Sequence, residues 1–140
     1  MLVLPNKLCE KIVEHALASY PNECCGALIG TLDSIRTVNQ IIELKNIEPE
    51  NRAKYRYFIS PKDLLTLSIK VKNSGWEILG FYHSHPFASN LPSETDRLLA
   101  WPEYSYLIVS LNDKRHPQLR SWRITGNNQG FREEIIRKQT

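Results

Sequence analysis

Apolar and polar positions along the chain follow two periods, and each change of period marks a predicted element. Leu8, Ile12, Ala16 and Tyr20 fall at every fourth position. They predict a helix over residues 5–20, with Pro5 in its first turn and Pro21 as its stop. Cys24 to Leu32 is apolar with two glycines and predicts a buried strand. The β-branched run from Ile35 to Leu44 predicts its hairpin partner. A polar loop from Asn46 to Lys54 leads to a short predicted strand, Tyr55 to Ile59. Ser60-Pro61-Lys62-Asp63 has the form of a helix start: a capping serine, a proline at the first position and an acid in the first turn. That helix runs to about Asn73 and stops before Gly75. Trp76 to His85 predicts a strand, Ser93 the start of a short helix, and Tyr104 to Leu111 another buried strand. Leu119 to Thr125 and Phe131 to Ile136 predict a last hairpin, joined by the Gly-Asn-Asn-Gln-Gly turn at 126–130. These elements imply an α/β fold built on a mixed, largely antiparallel sheet flanked by helices. Hairpin neighbours run antiparallel, whereas parallel neighbours need long crossovers.

Composition narrows the class. A chain of 140 residues is expected to form one domain, 1–140, that buries a core without staples. Its 41% hydrophobic and 24% charged residues are those of a soluble globular protein. The net charge of +3 is spread along the chain, so a nucleic-acid partner is not expected. Pro5 interrupts the apolar start too early for a secretory leader, and no apolar run approaches a membrane span. Three cysteines without regular spacing make no disulfide framework. A cytoplasmic location, away from membranes, is therefore expected.

The chemistry concentrates in HSHPFASNLPSETD, residues 83–96. In a strand, His83 and His85 project from the same face, about 6–7 Å apart at the backbone, so both rings can reach one ion. Pro86 stops the strand at the second histidine. Ser93 can cap a helix whose third position is Asp96. Two imidazoles and one carboxylate form a catalytic type of zinc ligand set, with a fourth place for water. The same residues also fit a bland description, an ordinary pair of strand histidines followed by a common capping pattern. His15, in an amphipathic helix, and His116, in a Lys-Arg-His-Pro loop, have no partner at ligand spacing. A zinc hydrolase needs a base from outside its ligands, and Glu23, between Pro21-Asn22 and an apolar strand, is the candidate. Taken alone, Glu23 is described as simply by a solvated acid at a loop end.

Together, Glu23, His83-Ser84-His85, Ser93 and Asp96 resemble the complete motif of the JAMM metalloproteases, also called the MPN-plus or Jab domain. Pro21 to Gly30 is similar to the family's segment around its glutamate, and Gly80 to Pro86 to its metal strand. The strand-to-helix entry from Tyr55 to Pro61 and the short chain resemble the small prokaryotic members. The resemblance implies a cytidine-deaminase-like fold. It implies zinc on His83, His85 and Asp96, with Glu23 as general base and then acid, and Ser93 hydrogen-bonding the oxyanion. Cys24-Cys25-Gly26 departs from the Ala-Cys-Gly of many relatives. Adjacent cysteines in a strand face opposite ways, so Cys25 is expected to be a small buried residue and Cys24 a tolerated one.

The resemblance also implies a substrate class. Long ubiquitin-gripping insertions are missing, and the small members cut after the Gly-Gly tail of ubiquitin-like sulfur carriers. A ubiquitin-like sulfur-carrier protein is thus the expected substrate, with an E1-like enzyme as a further partner. Two other readings stand beside it: a binding module that holds zinc without turnover, and a cell-wall or phage-tail-associated hydrolase.

Overall fold

The computed structural model describes residues 1–124 and 130–140. Its elements are β1 (Leu2–Pro5), α1 (Asn6–Ser19), β2 (Cys25–Leu32), β3 (Arg36–Leu44), α2 (Pro61–Lys72), β4 (Glu77–His85), α3 (Glu94–Leu99), β5 (Ser105–Ser110), β6 (Gln118–Ile124), β7 (Phe131–Glu134) and β8 (Ile136–Gln139). The eight strands form one sheet in the order β7-β6-β5-β4-β2-β3-β1-β8. The ladders β2–β3, β2–β4, β5–β6 and β6–β7 are antiparallel, and β1–β3, β1–β8 and β4–β5 are parallel. The sheet is therefore mixed and mostly antiparallel, as the hairpin pattern implies.

Strands β7 and β8 are separated by Ile135 alone, yet they stand at opposite ends of the sheet order. One bent strand thus serves both ends, and the sheet curls round to meet itself at this corner. The Leu2 N–H donates to the Ile135 carbonyl at 2.9 Å, fixing the bend against β1.

Each face of the sheet has its own apolar layer. On one face, α1 lays Cys9, Ile12 and Ala16 over Leu28, Tyr82, Leu107 and Val109. On the other, α2 lays Leu67 and Val71 over Ala27, Ile29, Phe81 and Tyr106. Burial of each large apolar side chain contributes about 1.5–3 kcal/mol, so these layers fix the strand register. Two glycines permit close approaches. A side chain at Gly26 would occupy the place of the Tyr82 ring, and one at Gly80 would strike the Ser105 backbone across the β4–β5 ladder.

The two cysteines face opposite ways and Cys25 is buried, as expected: Cys24 joins the α1 layer and Cys25 the α2 layer, and Cys24 is buried too. Ser60 caps α2 by accepting from the Asp63 N–H at 3.0 Å, with Pro61 in the first turn.

Three expectations need correction. The N-terminal helix begins at Asn6 rather than at residue 5, because Leu2–Pro5 is a strand, wedged in parallel between β3 and β8. The segment Tyr55 to Ile59 is not a strand. Its backbone bonds instead to turns and to a side chain: Tyr55 N–H to the Arg52 carbonyl at 3.0 Å, and Phe58 N–H to Asn46 Oδ1 at 3.1 Å. Phe131 to Ile136 is not one hairpin arm, since β7 pairs with β6 while β8 crosses to β1. The turn at 126–130 and the strand end at Thr125 lie outside the described residues, apart from Gly130.

Candidate metal centre

His83 and His85 occupy the last turn of alternation in β4, on the same face, and both are buried. Their Nε2 atoms stand 3.2 Å apart, and each lies 3.1 Å from Asp96 Oδ2. Donors about 2.0–2.1 Å from one tetrahedral ion stand about 3.3–3.4 Å from each other, so this triangle is close to the size that a metal requires. The chemistry of the donors makes the same point. The His85 Nδ1–H donates to the Ser89 carbonyl at 2.7 Å, since a carbonyl can only accept. In the neutral ring this leaves Nε2 as a bare lone pair facing a carboxylate oxygen. Two acceptors at that distance repel unless a cation or a proton lies between them.

Asp96 is delivered by a capping box. Ser93 Oγ accepts from the Asp96 N–H at 3.0 Å, and the Ser93 N–H donates to Asp96 Oδ2 at 2.9 Å. Burial works against the Asp96 charge. The field of His83, with hydrogen bonds from His83 and the Ser93 N–H, outweighs it and holds the carboxyl well below the usual range. Ser93 Oγ accepts one bond and keeps its O–H free to donate elsewhere.

Glu23 comes to the same place from the segment before β2. It is buried, and its ligand atom lies with those of His83 and His85 inside a 4.8 Å group that could hold a metal. By that grouping Glu23 could itself count as a ligand. The shorter 3.1 Å approach of Asp96 to both imidazoles favours Asp96 in that part. Burial, and next the nearby Asp96 charge, push the Glu23 carboxyl up to about 9, and its Oε1 has no hydrogen-bond partner. A cation held beside it would draw that value down by favouring the ionised form.

All five residues marked in the sequence therefore meet. His15 and His116 stay apart: His15 bonds the Tyr82 hydroxyl at 2.7 Å, and His116 bonds exposed Asp113 at 3.0 Å.

Other residues of the site carry no motif. Ser84 Oγ, between the histidines in sequence, accepts from the Cys24 N–H at 2.8 Å and ties the start of β2 to β4. Tyr57 stacks on His83, with ring centroids 4.6 Å apart. Asn46 holds the backbone of Glu23. Its Nδ2 donates to the carbonyls of Glu23 (3.0 Å) and Arg56 (3.2 Å), and its Oδ1 accepts from the N–H groups of Glu48 and Phe58, both at 3.1 Å. Its amide thus makes four bonds, the full capacity assigned to it. The Glu23 N–H donates to the Ala53 carbonyl at 2.7 Å in the same loop. No spacing signals Asn46; only its place in a polar loop before an aromatic segment hints at turn chemistry.

The chain is similar to known proteins across most of its length. A desampylase from Haloferax volcanii is 39% identical over 98 residues, 69% of this chain and 68% of the relative. A CysO-cysteine peptidase from Mycobacterium tuberculosis is 31% identical over 125 residues, 89% of this chain and 83% of the relative. A Desulfitobacterium hafniense protein solved in solution superposes with a TM-score of 0.87 at 34% identity, covering 99% of this chain and 93% of its own. Residues 5–125 match the family described as prokaryotic homologs of the JAB domain, and the chain belongs to that family.

Proposed function

We propose that the protein is a zinc-dependent peptidase or isopeptidase that hydrolyses an amide bond at the C-terminal Gly-Gly tail of a ubiquitin-like sulfur-carrier protein. The observation that carries this reading is the convergence of two imidazole nitrogens and one carboxylate oxygen within 3.2 Å, beside a buried carboxyl that makes no bond through Oε1. His83, His85 and Asp96 would hold the ion. Zinc suits such a set, and when bound it supplies Lewis acidity at the scissile carbonyl and brings the pKa of water near ~7.

The remaining chemistry belongs to the chain's own side chains. Glu23 accepts the proton of the attacking water and returns it to the leaving amine. Its burial makes it a stronger base than an exposed carboxylate, and then an acid that holds its proton until the amine departs. The free Ser93 O–H donates to the oxygen on which negative charge develops. The capping box keeps that hydroxyl and the Asp96 carboxylate at a fixed separation.

The substrate class rests on relatives named desampylase and CysO-cysteine peptidase. An E1-like enzyme acting on the same carrier is the further partner proposed. The test combines zinc analysis with cleavage of a carrier extended beyond its Gly-Gly tail. Wild type should hold one zinc per chain and cut. Glu23→Gln should hold zinc and fail to cut. A wild-type chain that takes up no zinc overturns the reading. Equal binding without cleavage by wild type and Glu23→Gln would make the protein a zinc-holding binding module instead.

A further inference from the structure

Three consecutive backbone carbonyls in the loop between β4 and α3 each accept a hydrogen bond from a side chain on a different strand. The Ala88 carbonyl accepts from Ser110 Oγ at 2.6 Å, the Ser89 carbonyl from His85 Nδ1 at 2.7 Å, and the Asn90 carbonyl from Trp122 Nε1 at 2.9 Å. The donors come from β5, β4 and β6 in turn. Loop backbone commonly turns to water for its hydrogen bonds, so three successive captures by strand side chains fix this segment unusually well.

The middle bond decides what His85 offers to the site, because it places the ring hydrogen on Nδ1 and leaves Nε2 bare. The outer two bonds fix the carbonyls on either side of that acceptor. Ser110 is the direct register partner of His85 across the parallel β4–β5 ladder. Its hydroxyl also accepts from the Asn112 N–H at 3.2 Å, so its own hydrogen is left to point at Ala88. Trp122 is buried, and its indole can only donate.

We propose that Ser110 and Trp122 are positioning residues for the metal centre. By clamping the carbonyls that flank Ser89, they hold His85 in the tautomer that presents Nε2, and they set the path along which the loop delivers Ser93 and Asp96. Removing either clamp lets Ser89 drift from Nδ1, and the imidazole hydrogen is then free to move to Nε2, where it blocks a ligand position. The inference rests on the metal-centre reading above, but its sharpest test needs no metal.

The test uses Ser110→Ala, Ser110→Thr and Trp122→Phe in the full chain. Two-bond proton–nitrogen NMR spectra of the chelated protein at one fixed pH read the His85 tautomer. Competition with a chromophoric chelator reads the zinc Kd. Wild type should show His85 with a hydrogen held on Nδ1. Ser110→Ala and Trp122→Phe should show that hydrogen partly lost from Nδ1 and a zinc Kd raised by about 10–100-fold, while Ser110→Thr, which keeps the hydroxyl, restores both values. Wild-type tautomer together with a Kd within about twofold of wild type in both Ser110→Ala and Trp122→Phe overturns the proposal, even if their melting temperatures fall. If Ser110→Ala does not fold, Trp122→Phe decides, since it keeps a large ring and removes the N–H. A wild-type chain that binds no zinc would sink the proposed function, whereas the tautomer spectra would still judge the two clamps.

Discussion

The proposed base and the proposed ligands share one small site but are held by different kinds of structure. His83 and His85 lie within a strand that is paired on both sides, to β2 and β5. Asp96 is locked by a reciprocal cap, and the loop that leads to it is bonded to three strands. Glu23 stands outside any strand, and its backbone is fixed by a loop in which Asn46 alone makes four bonds. The ligand half is specified many times over, while the base half depends on a loop knit mainly by the Asn46 amide. Metal holding and proton transfer should therefore be separable by mutation.

The largest separation is expected from Glu23→Gln. Cleavage should fall by about 10²–10⁴-fold with zinc content unchanged, whereas His83→Ala should lose both. Zinc analysis beside single-turnover cleavage reads the two together. Loss of zinc in Glu23→Gln would break the comparison by making Glu23 a ligand.

The next effect is on stability against pH. In the chelated protein Glu23 keeps its proton to about 9, whereas the unfolded chain releases it near ~4.5. The folded state therefore binds one more proton across that window, and the stability tied to it is lost as pH rises. Glu23→Gln removes this loss. Denaturant titrations of chelated samples should show the variant gaining on wild type by up to about 1.4 kcal/mol per pH unit between about pH 5 and pH 8. A flat difference would mean that the carboxyl is not held protonated.

Asn46→Ala sharpens the comparison from the loop side. It leaves the buried Glu23 carbonyl without its amide donor, for a cost of about 1–3 kcal/mol. It should also lower kcat about tenfold or more through misplacement of Glu23, while zinc affinity stays at the wild-type value. The smallest effect is a control in α2. Ser60→Ala removes a helix cap that bonds Asp63 and no residue of either half, and should cost about 1 kcal/mol, measured as a shift in unfolding midpoint, with zinc and kcat unmoved.

The contrast between the halves also explains what the sequence made legible. The histidine pair and the Ser93–Asp96 cap are local patterns, i to i+2 and i to i+3, and local geometry follows from spacing. Its place before an apolar strand makes Glu23 a candidate base, but only the resemblance to a known motif lifts it above a solvated acid at a loop end. Asn46 looks no different from Asn51 in the same polar loop; its role comes from bonds to residues up to 23 positions away. Ser110 and Trp122 are read as ordinary strand residues until the parallel β4–β5 register is known. The errors of fold have similar causes. Leu2–Pro5 is too short to show a period, and its partners start at Arg36 and Ile136. Tyr55 to Ile59 has the composition of a strand, but Asn46 Oδ1 takes one of the N–H groups that a ladder would use.

The corner at Ile135 bears on how the protein is made. The β1–β8 ladder joins Leu2 to Ile136 and Pro5 to Gln139, so during synthesis β1 waits for a partner that lies 134 residues further along the chain. Pairings across such sequence distance form slowly, because the intervening chain must be ordered first. During synthesis β1 has one of its two partners, β3, long before the other exists, and its outer edge stays open to stray strands in the meantime. A nascent chain arrested before residue 136 would carry the three proposed metal ligands but not its finished sheet.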